Sequence, residues 1–289
     1  MDATRLLQLL LNGMMTGAIL MMPAIGLTLI YGVLRFPNFA VAAHATVGAF
    51  AGYVVNTQLG WALLPSLACA VVAAALVGVA TDEFVLKPVR PAGSITTAIA
   101  SVALTIALEN VIRFFFGNDL RGYVLPVVRD WRFAGLRLSP QQVENLVIAG
   151  VAVAVLFAFL TFTRTGKAMR AVADNPMLAN IKGIDADKVG RLVTFVGMGF
   201  AGLGGMLTGL DTTIDPLTGF RTILSVFAAA VVGGFGSVPG AVIGALTVGV
   251  GEELCLVVLS PEYRSAVGFL VILLVLSVRP RGILGQREF

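Results

Sequence analysis

Few side chains in this sequence could do chemistry, and those few are scattered. Glu109 and Arg113 stand four apart, a spacing that sets an acid and a base on one helix face. The single histidine is His44, and two adjacent acids stand at Glu252-Glu253. Such groups could relay protons across a barrier, but they form no nucleophile–base pair and no metal-ligand cluster. A phosphate-binding G-x-x-x-x-G-K-[ST] loop is missing too, because Gly166-Lys167 has no matching upstream glycine. The chain is therefore expected to be no enzyme, to bind no cofactor and to hold no ATP by that device.

The second chemistry is that of a docking surface. From Arg164 to Lys188 the sequence turns abruptly polar: Arg164-Thr-Gly-Lys-Ala-Met-Arg170-Ala-Val-Ala-Asp174-Asn-Pro-Met-Leu-Ala-Asn-Ile-Lys182-Gly-Ile184-Asp-Ala-Asp-Lys188. On a helical wheel Lys167, Arg170, Asp174 and Lys182 point one way. Ala168, Met169, Val172, Pro176, Met177 and Ile181 point largely another. Pro176 suits the first turn of a new helix with Asn175 as its N-cap, and Gly183 suits its end. The run reads as two short helices with a bend. One use for it is to lie on anionic lipid, but its apolar residues are mostly small and no Trp or Phe anchors it. Small side chains fit a protein groove better.

What must position this segment is a membrane bundle. The chain has 289 residues, 57% hydrophobic and only 12% charged, with mean hydropathy +0.93. Soluble domains carry about 25% charged residues, so a soluble globule could not clothe its surface with so few. The apolar blocks approach the roughly 20 residues that a crossing helix needs. We read spans over Leu6–Tyr31, Asn38–Val55, Trp61–Leu86, Ser94–Phe116, Gln142–Thr163, Val189–Leu210, Gly219–Val232, Pro239–Leu259 and Arg264–Val278. The expected fold is all-α: one polytopic transmembrane domain over residues 1–289, with about eight or nine spans. It would include broken or half helices, an outer loop over 117–141 and a cytoplasmic coupling helix within 164–188.

The ambiguity in the count lies at Gly219–Val232, which is short and runs into Gly233-Gly-Phe-Gly-Ser-Val-Pro-Gly240. No ordinary helix continues through such a stretch, so eight irregular residues are expected there as a gate or path element. Pro23 and Pro65 predict kinks. Gly13/Gly17, Gly205/Gly209 and Gly240/Gly244 predict close helix packing. Cys69 and Cys255 fall inside apolar spans, so no disulfide framework is expected. The apolar run after Met1–Arg5 is too long for a signal peptide, which makes it a retained first span.

A net charge of +4 with pI near 9.4 raises nucleic acid as a partner, but the basic residues sit in short loops between spans. With nine crossings, twelve of them share one side and eight the other. The richer side is cytoplasmic by the positive-inside rule, which predicts an outer N-terminus and an inner C-terminus.

Several segments, in order, resemble the permease subunits of branched-chain amino acid ABC importers, the LivH/LivM type. Arg164–Asn175 is similar to that family's coupling segment, and Ala179-Asn-Ile-Lys-Gly183-Ile184 continues it. Glu83-Phe-Val-Leu-Lys87-Pro88-Val-Arg90 resembles a cytoplasmic loop, Ile99–Asn110 the helix after it, Gly233–Gly244 a glycine-rich turn, and Arg279–Gly285 the usual ending. The sequence departs from the pattern where Asn38-Phe-Ala40 is followed by Val41-Ala42, with His44 displaced, at Glu109 where many relatives have an amide, and at Phe84 where many have Arg.

The resemblance implies an importer of Leu, Ile and Val, or of related solutes such as amides, urea or aromatic acids, in a bacterial inner membrane. It implies a second permease subunit, two cytoplasmic ATPases that bind ATP and Mg, and a periplasmic solute-binding protein. Its ATPase-coupling residues would be Arg164, Gly166, Lys167, Ala168, Arg170, Ala171, Asp174, Asn175, Ala179, Gly183 and Ile184. Path or gate candidates are Gly233, Gly234, Gly236, Ser237, Pro239, Gly240, Asn38, His44, Glu109, Asn110 and Glu252. From the residues alone, Glu109–Arg113 is expected as an intrahelical ion pair or a path lining. His44 is expected to hydrogen-bond a neighbouring helix or serve the path, and at least one of Glu252-Glu253 to face the interior. An ion-coupled secondary transporter is the competing class, with Glu109, Glu252 or His44 carrying protons.

Overall fold

The computed structural model describes residues 3–125, 129–133, 135–257, 260, 264–279 and 282–285. Of the sequence expectations, Pro126, the stretch around Leu259, and Pro280, Arg281 and Arg287 lie outside the described residues. The chain is a helical bundle: α1 (Ala3–Leu34), α2 (Val41–Tyr53), α3 (Leu63–Thr81), α4 (Lys87–Val89), α5 (Ser94–Phe116), α6 (Pro140–Phe162), α7 (Arg164–Asp174), α8 (Pro176–Ile181), α9 (Ala186–Asp211), α10 (Thr218–Gly233), α11 (Val238–Cys255) and α12 (Arg264–Val278). Two π-helical turns, Val54–Gln58 and Asp82–Leu86, extend α2 and α3.

Each expected span has a helical counterpart, but the counterparts differ in length. Among the described residues six helical stretches are long and apolar enough to cross a bilayer: Thr4–Leu34, Leu63–Ala92, Ser94–Phe116, Pro140–Phe162, Ala186–Asp211 and Val238–Cys255. Thr218–Gly233 and Val267–Val278 are apolar but shorter. The α2 helix has 13 residues, about 20 Å at 1.5 Å per residue, against roughly 30 Å of hydrocarbon.

At the centre, α1 and α9 have 72% of their apolar windows buried, whereas the α6 window is 22% buried. Outward faces such as Ile95, Ile99 and Phe114 of α5 or Val147, Val151 and Val155 of α6 are exposed, as a lipid-facing surface requires. Close approach holds the centre together. A Cβ added at Gly13 would sit 2.6 Å from Val250 Cα, and one at Gly17 2.9 Å from Leu246 Cα. The small-residue spacing therefore packs α1 directly on the backbone of α11.

Helix ends sort onto two faces. At one, Arg35 after α1 donates to Ala173 O of α7, Gly32 approaches Gly236, and Ile283 N–H donates to Val232 O. At the other, the Gln8 side chain exchanges hydrogen bonds of 2.8 and 2.9 Å with the Arg137 backbone. There too Arg121 and Ile214 exchange bonds of 2.8 Å. Because α1 joins the faces, the described start and end of the chain lie on opposite ones.

Several expectations need correction. The fold is not all-α throughout: within the 117–141 loop, β1 (Trp131–Phe133) pairs antiparallel with β2 (Leu136–Leu138). Pro140 opens α6, two residues before the expected start of that span. Pro65 sits in the first turn of α3, where its missing N–H leaves no intrahelical bond broken, so it gives no mid-span kink. Pro23 does lie within α1. Asn38, itself buried, belongs not to a helix but to a partly buried irregular link, residues 35–40, between α1 and α2. The break at Gly233–Gly240 shrinks to residues 234–237.

Candidate functional site

The polar segment folds as two helices, each built by local chemistry. Thr163 ends α6 and caps α7: its Oγ1 donates to Phe159 O at 2.7 Å and accepts from Gly166 N–H at 2.9 Å. Gly166 is required by space, because a Cβ there would lie 2.4 Å from Phe159 O and 2.5 Å from Leu160 Cα. Met169 and Val172 bury one face of α7 at 3% and 2% exposure. Arg164, Lys167, Arg170 and Asp174 stay exposed, and Ala168 and Ala171 are half-buried.

The bend follows the sequence logic. Asn175 Oδ1 accepts from Leu178 N–H at 3.0 Å, with Pro176 in the first turn of α8. Gly183 has φ 82°, the left-handed conformation of a helix-terminating glycine, and Ile184 N–H returns to Ala179 O at 3.0 Å. Ala179 is buried, anchoring α8. Asp185 then caps α9, accepting from Asp187 and Lys188 N–H at 3.0 and 3.2 Å. Those bonds, above all the one from Lys188 N–H, hold the Asp185 carboxyl below the usual aspartate range. What remains outside is an apolar patch, Met177 76%, Leu178 53% and Ile181 75% exposed, followed directly by exposed Lys182.

An ion-pair network ties this segment to the end of α3. Lys87 Nζ sits 2.7 Å from Glu83 Oε1 and 3.3 Å from Asp187 Oδ2, and Arg191 Nε is 3.9 Å from Glu83 Oε2. Beside it, Arg90 Nη2 donates to both oxygens of buried Asp82 at 2.5 Å, and its guanidinium lies 5.7 Å from the centre of the Phe36 ring. The Glu83-x-x-x-Lys87 spacing is legible as an i, i+4 pair. The Asp82–Arg90 pair is not, because a π-helical turn shifts the register between them.

The proposed path residues are not gathered in one place. His44 is fully buried; its ring bonds Ala40 O at 2.7 Å through Nδ1 and Thr81 Oγ1 of α3 at 3.1 Å through Nε2, so it does bond a neighbouring helix. Glu252 and Glu253 both face the interior at 3% and 7% exposure, and Ser225 of α10 donates to Glu252 Oε1 at 2.5 Å. Glu109 and Arg113 are not within ion-pair distance: the two are absent from the ion pairs among the described residues, and Glu109 Oε1 and Arg113 Nε lack hydrogen-bond partners. Four residues of spacing allow such a pair but do not compel it. Asn110 is exposed on α5, its Nδ2 turned back to Ile106 O at 2.7 Å.

The glycine-rich turn is a capped corner. Gly233 ends α10, Gly234 and Gly236 have φ of 99° and 84°, and Ser237 Oγ accepts from Gly240 N–H at 3.1 Å as the N-cap of α11. Pro239 occupies the first turn of α11. Gly233 and Gly240 face one another so closely that a Cβ on either would meet the other's carbonyl within 2.2 Å.

Among the described residues, an apolar and a polar cavity border the bundle. The apolar one of about 200 Å³ lies beside Pro37, Phe39, Ile95 and Ile99. The polar one of about 120 Å³ lies between α1, α6, α9 and α11, lined by Asn12, Thr16, Gln142, Asn145, Asp211 and Glu253. Sequence reasoning missed the polar cavity, because its residues come from four helices and share no motif.

Comparison with known proteins places this arrangement in a family. A family described as branched-chain amino acid transport system / permease component matches residues 9–276. The high-affinity branched-chain amino acid transport system permease protein LivH of Escherichia coli K12 is 31% identical over 98% of this chain and 96% of its own length. The BraD permease protein of the corresponding high-affinity system in Pseudomonas aeruginosa is 28% identical over the same shares. A probable LivH of Methanocaldococcus jannaschii is 31% identical over 92% of this chain and 89% of its own. Among solved structures, PsaBC from Streptococcus pneumoniae in complex with Fab matches with a TM-score of 0.50 at 14% identity, over 93% of this chain and 91% of that one, a likeness of fold alone. The chain belongs to the family of permease components of branched-chain amino acid transport systems.

Proposed function

We propose that this chain is the membrane-embedded permease of an ATP-driven importer of leucine, isoleucine, valine or closely related small solutes. It works with a second permease, two cytoplasmic ATPases that hold ATP and Mg, and a periplasmic protein that delivers the solute. The α7–α8 elbow docks in a groove of one ATPase, and closure of the ATPase pair tilts the bundle between outward-open and inward-open states. The face bearing Arg35, α7, α8 and the 234–237 corner is cytoplasmic, the N-terminus is outside, and nine crossings include the short helices α2, α10 and α12.

The observation that carries this reading is the elbow's two-sidedness. Met169 and Val172 fix α7 to the bundle, while Met177, Leu178 and Ile181 stand exposed beside cationic side chains. An exposed apolar patch with charged neighbours marks a protein contact, and its lack of an aromatic anchor disfavours lipid. Names of relatives and the family match support the cargo class. The test is reconstitution in liposomes with radiolabelled leucine. Uptake is expected only with the ATPase subunits, ATP and the solute-binding protein present. Uptake by the purified chain alone would favour the ion-coupled class instead.

A further inference from the structure

Beyond the elbow itself, the link between α1 and α2 bears on how its movement could reach the bundle. Arg35 is the one described non-glycine residue with positive φ, at 59°. Left-handed backbone at such a residue persists only where surrounding contacts hold it. Here the guanidinium donates through Nη2 to Ala173 O, in the last turn of α7, at 2.5 Å, where a cation also complements the negative end of the helix dipole. The next residues fan out across the bundle. Phe36 lies against Arg90, buried Asn38 accepts from Ala40 N–H at 3.0 Å, and Phe39 N–H donates to Ser101 Oγ of α5 at 3.0 Å. The Phe39 ring stacks on Phe227 of α10 with centroids 5.4 Å apart. Asn38 Nδ2, fully buried, has no hydrogen-bond partner, so the link holds a polar group that another arrangement could satisfy.

We propose that Arg35 is a positioning residue that transmits movement of α7 to the 35–40 link and through it to α2, α5 and α10. The proposal rests on the reading of α7–α8 as the ATPase-docking elbow. While the Arg35–Ala173 bond holds, the link stays kinked. When α7 is displaced, the bond lets go and Arg35 relaxes toward the right-handed region, which lengthens α1 and shifts Asn38 and Phe39. Two discrete backbone arrangements are what a switch element requires. The ion pairs of Lys87 with Glu83 and Asp187 tie the start of α9 to the turn after α3 meanwhile.

The experiment uses the assembled transporter in nanodiscs, comparing wild type with R35G, R35K and, as a control on the docking surface, M177D. Glycine accepts the left-handed backbone without strain, so R35G removes the guanidinium without straining the backbone at that position. R35G is expected to lower leucine-stimulated ATP hydrolysis at least about fivefold, the lower end of ordinary coupling between sites. Its unfolding midpoint should not fall and its ATPase subunits should stay attached, while R35K restores most of the stimulation. Wild-type stimulation in R35G, with M177D shedding the ATPase, overturns the role of Arg35 and leaves the docking surface standing. Wild-type behaviour in both variants overturns both.

Discussion

Replacing Gly166 by alanine tests how firmly the elbow is seated. The new Cβ would stand 2.4 Å from Phe159 O, whereas ordinary contact begins at 3.4 Å, so α7 must move by the difference, 1.0 Å, against the end of α6. The opposing atoms are backbone, and α6 is a membrane-spanning helix, so α6 cannot yield by a side-chain rotation. Overpacking of this kind costs about 1–3 kcal/mol. If about half of that is relieved by tilting α7 out of its docked position, the penalty on docking is about 0.5–1.5 kcal/mol, roughly a two- to twelvefold weaker hold on the ATPase. The assay is titration of the ATPase onto the reconstituted permease, read as solute-stimulated hydrolysis. A half-saturating concentration raised roughly two- to twelvefold, with membrane insertion intact, fits the geometry. An unchanged titration would show that α7 does not bear on docking.

The caps make two further predictions. Asn175→Ala removes the acceptor for Leu178 N–H and should weaken α8 by about 1 kcal/mol, seen as faster hydrogen exchange over residues 177–181 only. The Asp185 carboxyl is held below its ordinary value when folded. Its contribution to the α9 start is thus full above the ordinary aspartate value and lost as pH falls through the lowered folded one. Amide protection of the first turn of α9, corrected for intrinsic rates, should decline only as pH falls below the ordinary aspartate value in wild type, but not in Asp185→Asn, whose side chain caps without titrating.

How much of this was legible in the sequence depended on the range of the interactions. Helix existence and the bend at Asn175-Pro176, with Gly183 closing it, follow from patterns within a few residues, and the structure carries them. The longer-range features were illegible. Arg35 looks like any loop cation until α7 folds back over it, and its left-handed backbone leaves no trace in residue type. Asp82 meets Arg90 because the intervening turn is π-helical. The Gly233–Gly240 run reads as broken chain, but paired glycines there serve a close α10–α11 crossing and leave only residues 234–237 irregular. Glu109 and Arg113 had the right spacing for a pair, yet Glu109 Oε1 and Arg113 Nε are left without hydrogen-bond partners.

The central claim is that the α7–α8 elbow faces the cytoplasm and touches an ATPase. Met177→Cys, with Cys69 and Cys255 replaced by alanine, tests it in the assembled transporter using a short thiol-specific photo-crosslinker. The account predicts a covalent adduct between this chain and the ATPase subunit, and protection of the thiol from impermeant reagents added outside intact cells. Labelling from the outside, or a thiol that never reaches the ATPase in any nucleotide state, would contradict it.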